Sequence, residues 1–165
     1  MSNILLVTLQ SVNVGNRLQN YALQTMLNNM EFTVYTPCYR EEKKSFLQTV
    51  KYCVKYFLGM IMIKKYRYIV LQQKRKKAFS IFDKKYIKNR FSVNFDDVQK
   101  YNWDCYDYAI TGSDQVWHKW TNNSKELPYF YLNFIPREKR IAYAPSFGFS
   151  DFSVQDKKIH KKGIQ

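Results

Sequence analysis

Apolar positions in the first forty residues change period twice, and each change predicts an element. Asn3 to Leu9 form a compact apolar run of the length of a buried strand. The "QSVNVGN" that follows carries the Gly and Asn of a loop. In "RLQNYALQTMLNNM", Leu18, Ala22, Met26 and Met30 recur every four residues, and Leu23 and Leu27 widen the stripe. That spacing predicts an amphipathic helix turning this face to the core. "FTVYTP" reads as a second strand, ended by Pro37. The three pieces form a βαβ unit, whose crossover is expected to be right-handed.

Helical spacing returns in residues 41–90, where Phe46, Val50, Val54, Phe57 and Ile61 are separated by lysines. Two helices are expected here, broken near Gly59. A connecting stretch with Asp96 and Asp97 leads to "YDYAITGSD", a third strand with its loop, and then to a polar region around "TNNSKELP". "RIAYAPSFG" carries the last strong strand signal, and "QDKKIHKKGIQ" has the start of a further helix. There is no internal repeat and no low-complexity tract. The expected class is α/β, a Rossmann-like parallel sheet flanked by helices, with 41–90 as a basic helical insertion.

Composition sharpens this picture at one place. The 165 residues suit one domain, and a hydrophobic share of 45% with 18% aromatics excludes a disordered polar chain. The formal net charge of +14 invites a nucleic-acid reading until its distribution is examined. Residues 40–90 hold 16 Lys or Arg against three acids, whereas the rest of the chain holds 11 against 10. The basicity therefore belongs to one segment. It allows three readings: a solvated helical face, an amphipathic surface for an anionic membrane, or a nucleic-acid surface of lysines interleaved with aromatics.

Cys38, Cys53 and Cys105 form no CxxC pair and are odd in number, so a reducing, cytoplasmic setting is expected. No secretory signal is read at the N-terminus. Phe57 to Ile63, the longest apolar run of the basic segment, is too short to span a bilayer.

If strands 3–9, 108–111 and 140–145 share one parallel sheet, the loops "QSVNVGN", "GSDQ" and "PSFG" lie along one edge. Open α/β sheets bind ligands there, outside the carboxyl ends of their strands. The first loop has neither GxGxxG nor GxxxxGK[ST], so it is no dinucleotide or P-loop fingerprint. Gly15 and Asn16 at a helix start still offer backbone donors, beside Arg17, to an anionic group.

The motifs "GNRLQNYALQ" at 15–24, "ITGSDQVW" at 110–117 and "RIAYAPSFG" at 140–148, in this order and separation, resemble the polysaccharide pyruvyl transferase family. The resemblance implies a Rossmann-like N-terminal domain of a two-domain, GT-B-like transferase. It also implies transfer of the enolpyruvyl unit of phosphoenolpyruvate, the donor substrate, onto a sugar diol as a pyruvate ketal, without a further cofactor. Members of the family are about twice this length, so the chain is expected to correspond to the N-terminal half, with the second domain absent. A sugar or lipid-linked oligosaccharide is the implied acceptor, at the inner face of the membrane.

Within that frame Asp114 is the candidate to orient or deprotonate a sugar hydroxyl; its alternative is a helix N-cap or turn residue sharing that task with Ser113. Ser113 and Gln115 are candidates to hydrogen-bond the sugar. Asn16 and Arg17 are expected to line the opposite side, with Gln19 and Asn20 on the same helical turn. Ser146 and Gly148 offer a hydroxyl and a close backbone approach, or a plain strand-to-helix turn. Trp117 and Trp120 suit packing more than a sugar platform. His118 stands where the family more often has Asn and receives no role. His118 and His160 lack partners at ligand spacing, so no metal is expected. The rival readings are a nucleotide-sugar-dependent glycosyltransferase and a non-catalytic basic binding module.

Overall fold

The computed structural model describes the chain except residues 11, 12, 40–44, 62, 119–125 and 165, and the side chains at 39 and 96. It separates into two units, Met1–Tyr39 with Ile87–Gln165, and Arg40–Tyr86. Among the described residues of the first unit, five strands form one parallel sheet: β1 (Asn3–Val7), β2 (Thr33–Tyr39), β3 (Arg90–Val93), β4 (Tyr108–Asp114) and β5 (Arg140–Pro145). Their order is β3-β2-β1-β4-β5, a doubly wound arrangement. Alternation along β1 explains its central place. Leu5 and Val7 enter one apolar layer with Ala109, Trp103, Phe130 and Leu132, while Ile4 and Leu6 enter the other with Leu23, Leu27 and Ile110.

Strand β3 was not anticipated. The four-residue "RFSV" is too short to give a periodic signal, and it pairs residue by residue with Thr36–Tyr39. A short 3₁₀ helix, Phe95–Lys100, takes the place of the expected connecting stretch. Pro37 does not end β2, which runs on to Tyr39. Thr36 donates its N–H to Asn89 on the β3 side, so the alternate residue Pro37 turns its nitrogen toward β1. Registered pairing with β1 stops at Tyr35, and the missing N–H leaves no ladder bond unmade.

The helix α1 (Val14–Asn29) forms where expected but presents a different face. Leu23 and Leu27 are buried, yet Leu18 is 51% and Met30 58% exposed, and Ala22 and Met26 are exposed as well. The inward stripe is Asn16, Asn20, Leu23, Gln24 and Leu27. Its polar half lies over sheet groups that need partners. Asn20 Nδ2 donates to Thr8 Oγ1 at 2.7 Å, and Gln24 clasps the Lys88 backbone through both its oxygen (2.9 Å) and its nitrogen (3.0 Å). Buried polar backbone and hydroxyl groups demand such bonds, so polar side chains displaced the expected apolar ones.

Two further helices belong to this unit, α4 (Glu126–Phe130) and α5 (Val154–Ile164). Ser153 and Asp156 cap the start of α5 reciprocally. Inside it His160 is buried, its Nδ1 2.6 Å from the Tyr131 hydroxyl.

The second unit is a helical hairpin of α2 (Phe46–Met60) and α3 (Lys64–Tyr86). Ser45 and Gln48 form a capping box at the start of α2. The two expected helices form, and their break falls near Gly59 as expected, just after Met60. A Cβ at Gly59 would stand 2.6 Å from the Tyr66 carbonyl oxygen. The glycine is there so that the start of α3 can cross closely over the end of α2.

Candidate functional site

In a doubly wound sheet the crevice forms where the chain leaves neighbouring strands in opposite directions. Here β1 leads into α1 toward β2 on one side, and β4 lies on the other. The carboxyl ends of β1 and β4 therefore flank the switch point. Asn13 caps α1 at this place, accepting from the Gly15 N–H at 2.9 Å.

The strand β4 delivers Asp114 to the same edge in a left-handed conformation, φ 77°. The side chain is half-buried, and its Oδ2 accepts from Asn16 Nδ2 at 3.1 Å. Asn16 itself is buried. Among the described residues Oδ1 of Asp114 has no protein partner, which leaves one carboxylate oxygen able to accept from a ligand. No helix begins at Asp114 among the described residues, so the side chain is not an N-cap.

Backbone bonds tie the β4 and β5 loops together at this point. Asp114 O accepts from both Val116 N–H (2.9 Å) and Ser146 N–H (2.8 Å), and Ser146 O accepts from Trp117 N–H (3.2 Å). Gly112, with φ 124°, lies so close to β5 that a Cβ would run into the Tyr143 carbonyl oxygen. Gly148 has φ 75°, and a Cβ there would press on the Gln115 side chain at 2.7 Å. The end of β4 and the loop after it are thus held by the neighbouring strand and loop as well as by their own turn.

The sequence-derived candidates divide by position. Asn16 and Asp114 meet, Ser146 is joined to Asp114 through the backbone, and Gln115 lies against Gly148. Asn16 therefore stands beside Asp114 rather than across from it. Ser113 is half-buried between the fixed Gly112 and Asp114. Arg17 and Gln19 follow Asn16 along α1, both half-buried. Asn20, expected on the same turn, points instead into the sheet toward Thr8.

The aromatic residues after the loop anchor it. Trp117 stacks on Tyr131 with ring centroids 5.1 Å apart and donates its Nε1–H to Phe130 O at 3.3 Å. Trp120 lies outside the described residues. His118 Nδ1 is 2.8 Å from the Phe147 carbonyl; a carbonyl can only accept, so this nitrogen carries the proton. Among the described residues no three His, Cys, Asp or Glu side chains are grouped to hold a metal ion. Burial pushes the Tyr131 hydroxyl well above the usual tyrosine range.

What sequence reasoning missed at this site is that Asn16, itself a candidate, is the direct amide partner of Asp114. The signal was present in the four-residue spacing of Asn16, Asn20 and Gln24, an amphipathic pattern written in amides rather than in leucines.

A family model described as polysaccharide pyruvyl transferase matches residues 13–164. No curated protein and no solved structure matches the chain.

Proposed function

We propose that this chain, which belongs to the polysaccharide pyruvyl transferase family, acts in the cytoplasmic transfer of pyruvate from phosphoenolpyruvate to a pair of sugar hydroxyls of a surface polysaccharide. In this reaction one hydroxyl oxygen bonds to C2 of the donor while C3 gains a proton. The second hydroxyl oxygen then replaces the phosphate at C2, and the C–O bond to phosphate breaks with its electrons on the departing group. Of the two hydroxyl protons, one is balanced by C3 and the other by phosphate. The product is a ketal.

Such chemistry needs an acceptor beside the attacking hydroxyl and positive or N–H groups beside the anionic donor. Asp114 fills the first role: its Oδ1 takes the hydroxyl hydrogen bond, and Asn16 holds Oδ2 so that the carboxylate keeps one orientation. Ser113 and Gln115 bond neighbouring sugar hydroxyls. Arg17, one residue beyond Asn16, offers charge to the donor. Ser146 and Gly148 set the floor of the loop through their backbone.

The observation that carries this reading is the Asn16–Asp114 contact at the switch point of the sheet. The test is ketal formation and phosphate release by the full-length gene product, followed by mass spectrometry of the sugar. Asp114→Ala is expected to lower kcat by roughly 100-fold or more. Asn16→Ala, which frees the carboxylate to turn, should lower it less. Full activity of Asp114→Ala removes that residue from the mechanism. Thermal protection by a nucleotide-sugar, without any by phosphoenolpyruvate, would replace the reading with a glycosyltransferase.

A further inference from the structure

Helix α2 carries its apolar residues on the outside. Phe46, Leu47, Val50, Val54, Phe57 and Ile61 fall within one continuous arc at 100° per residue, and every one is exposed, Phe46 at 81%, Phe57 at 63% and Val54 at 53%. The opposite side of the helix, with Tyr52, Tyr56 and Gly59, packs on α3. A contiguous apolar strip of this kind is uncommon on a protein face left in water.

Cations border the strip on both sides. Lys51 and Lys55 follow Val54 and Leu47 around the helix. On the other flank a groove of about 530 Å³ between the helices is lined by Tyr52, Cys53, Tyr56, Gln73, Lys74 and Lys77. The helix α3 carries nine Lys or Arg and one acid, Asp83. An apolar centre between cationic flanks is the layout of a helix lying in a membrane interface, where lysine stems reach along the apolar surface and their ammonium groups meet lipid phosphates.

We infer that the α2–α3 hairpin docks on an anionic lipid surface, with the Phe46–Phe57 face of α2 entering the headgroup–acyl boundary. Among the described residues no single helix is long and apolar enough to cross a membrane. The 15 residues of α2 cover about 22 Å, short of the roughly 30 Å hydrocarbon core, so the helix lies on the bilayer rather than through it. Charge selects lipid over an uncharged apolar partner. The apolar strip selects it over nucleic acid, which would leave Phe46 and Phe57 uncovered. The inference rests on the hairpin alone and is independent of the transfer reaction.

The test is co-sedimentation of the full-length protein with vesicles of phosphatidylcholine alone or phosphatidylcholine with phosphatidylglycerol. Binding is expected to the anionic vesicles only and to weaken as salt is raised. Phe57→Ser should weaken it roughly tenfold. The double variant Lys51→Glu with Lys55→Glu, which keeps the apolar strip intact, should weaken it by at least as much. Far-UV circular dichroism checks that both variants keep their helices.

Equal binding to neutral vesicles, or no vesicle binding, overturns the inference. So does an oligomer in lipid-free buffer that Phe57→Ser dissociates, because a second copy then covers the strip. Tight binding of single-stranded nucleic acid unaffected by Phe57→Ser, with no anionic-vesicle binding, would assign the hairpin to nucleic acid instead.

Discussion

In the sheet, β1 sends Leu5 and Val7 to one layer and Ile4 and Leu6 to the other, and all four are buried. In the hairpin, α2 repeats Phe46, Val50, Val54 and Phe57 with equal regularity, and all four face out. Both segments obey their period. A period states which side chains share a face; whether that face is covered depends on a second layer. The strand has one on each side, whereas within the hairpin α3 covers the tyrosine side of α2 and leaves its apolar face exposed. The charge follows the same division, since the basic excess sits in 40–90 and the rest of the chain is almost neutral.

The largest test of this contrast is a pair of truncations. Leu6→Ala should lower the unfolding free energy by about 3 kcal/mol, by lost burial and a residual cavity. Phe57→Ala should change it by less than about 0.5 kcal/mol. Equal losses in urea titrations would mean that the strip on α2 is covered after all, and the contrast would fail.

Gly59→Ala probes the hairpin from within. The added methyl meets backbone, which cannot swing aside, so a loss of roughly 1–3 kcal/mol confined to the hairpin is expected. Hydrogen exchange should speed up in α2 and α3 while β1 and β4 keep their protection. Uniform acceleration would show that the two units unfold as one.

The reversed face of α1 offers a third comparison. Asn20→Ala removes the partner of the buried Thr8 hydroxyl and should destabilise by about 1–2 kcal/mol. Leu18→Gln, on the exposed stripe, should be close to neutral in the same thermal melts. If Leu18→Gln proved the more damaging of the two, the inward stripe would have been misassigned.

The smallest effect is on pH dependence. Tyr106, buried in the sheet core beside Cys105 and Tyr35, has its hydroxyl pushed up to about 12, chiefly by loss of water. The folded state therefore holds this proton where the unfolded chain, titrating near 10, gives it up. This contribution to stability is whole below about pH 10 and is lost as pH rises from there toward 12. Melting temperatures across that window should decline less steeply in Tyr106→Phe. An unchanged slope would place the responsible group elsewhere, with Tyr131, driven in the same direction, as the next to replace.

Much of the fold was legible because it is written in local patterns. The runs 3–9, 108–111 and 140–145 carry the apolar density of parallel strands, and they form β1, β4 and β5 with nearly those bounds. "RFSV" was not legible, since four residues carry too little periodicity and its place as a strand depends on the far side of β2. At the site, "GSDQ" read as a loop after the strand, but Gly112, Ser113 and Asp114 are the last residues of β4, where pairing with β5 extends the strand. The hold of Asp114 on Asn16 and Ser146 joins residues about 100 and 30 positions away in the chain.

By itself the sequence determined the alternation of strands and helices, the confinement of positive charge to one segment, and the family motifs, because each of these is a property of neighbours along the chain. Only the tertiary structure decided which face of α1 turns inward, that Pro37 sits inside a strand, and that the α2 apolar face stays outside. Each of these is a matter of which groups lie opposite: the carboxyl edge of the sheet requires amides from α1, β2 extends past β1 at Pro37, and α3 packs on the tyrosine side of α2 while the apolar side is exposed. Asp114 belongs to both accounts. The sequence placed it at the end of a strand, and the fold gave it a fixed partner in Asn16.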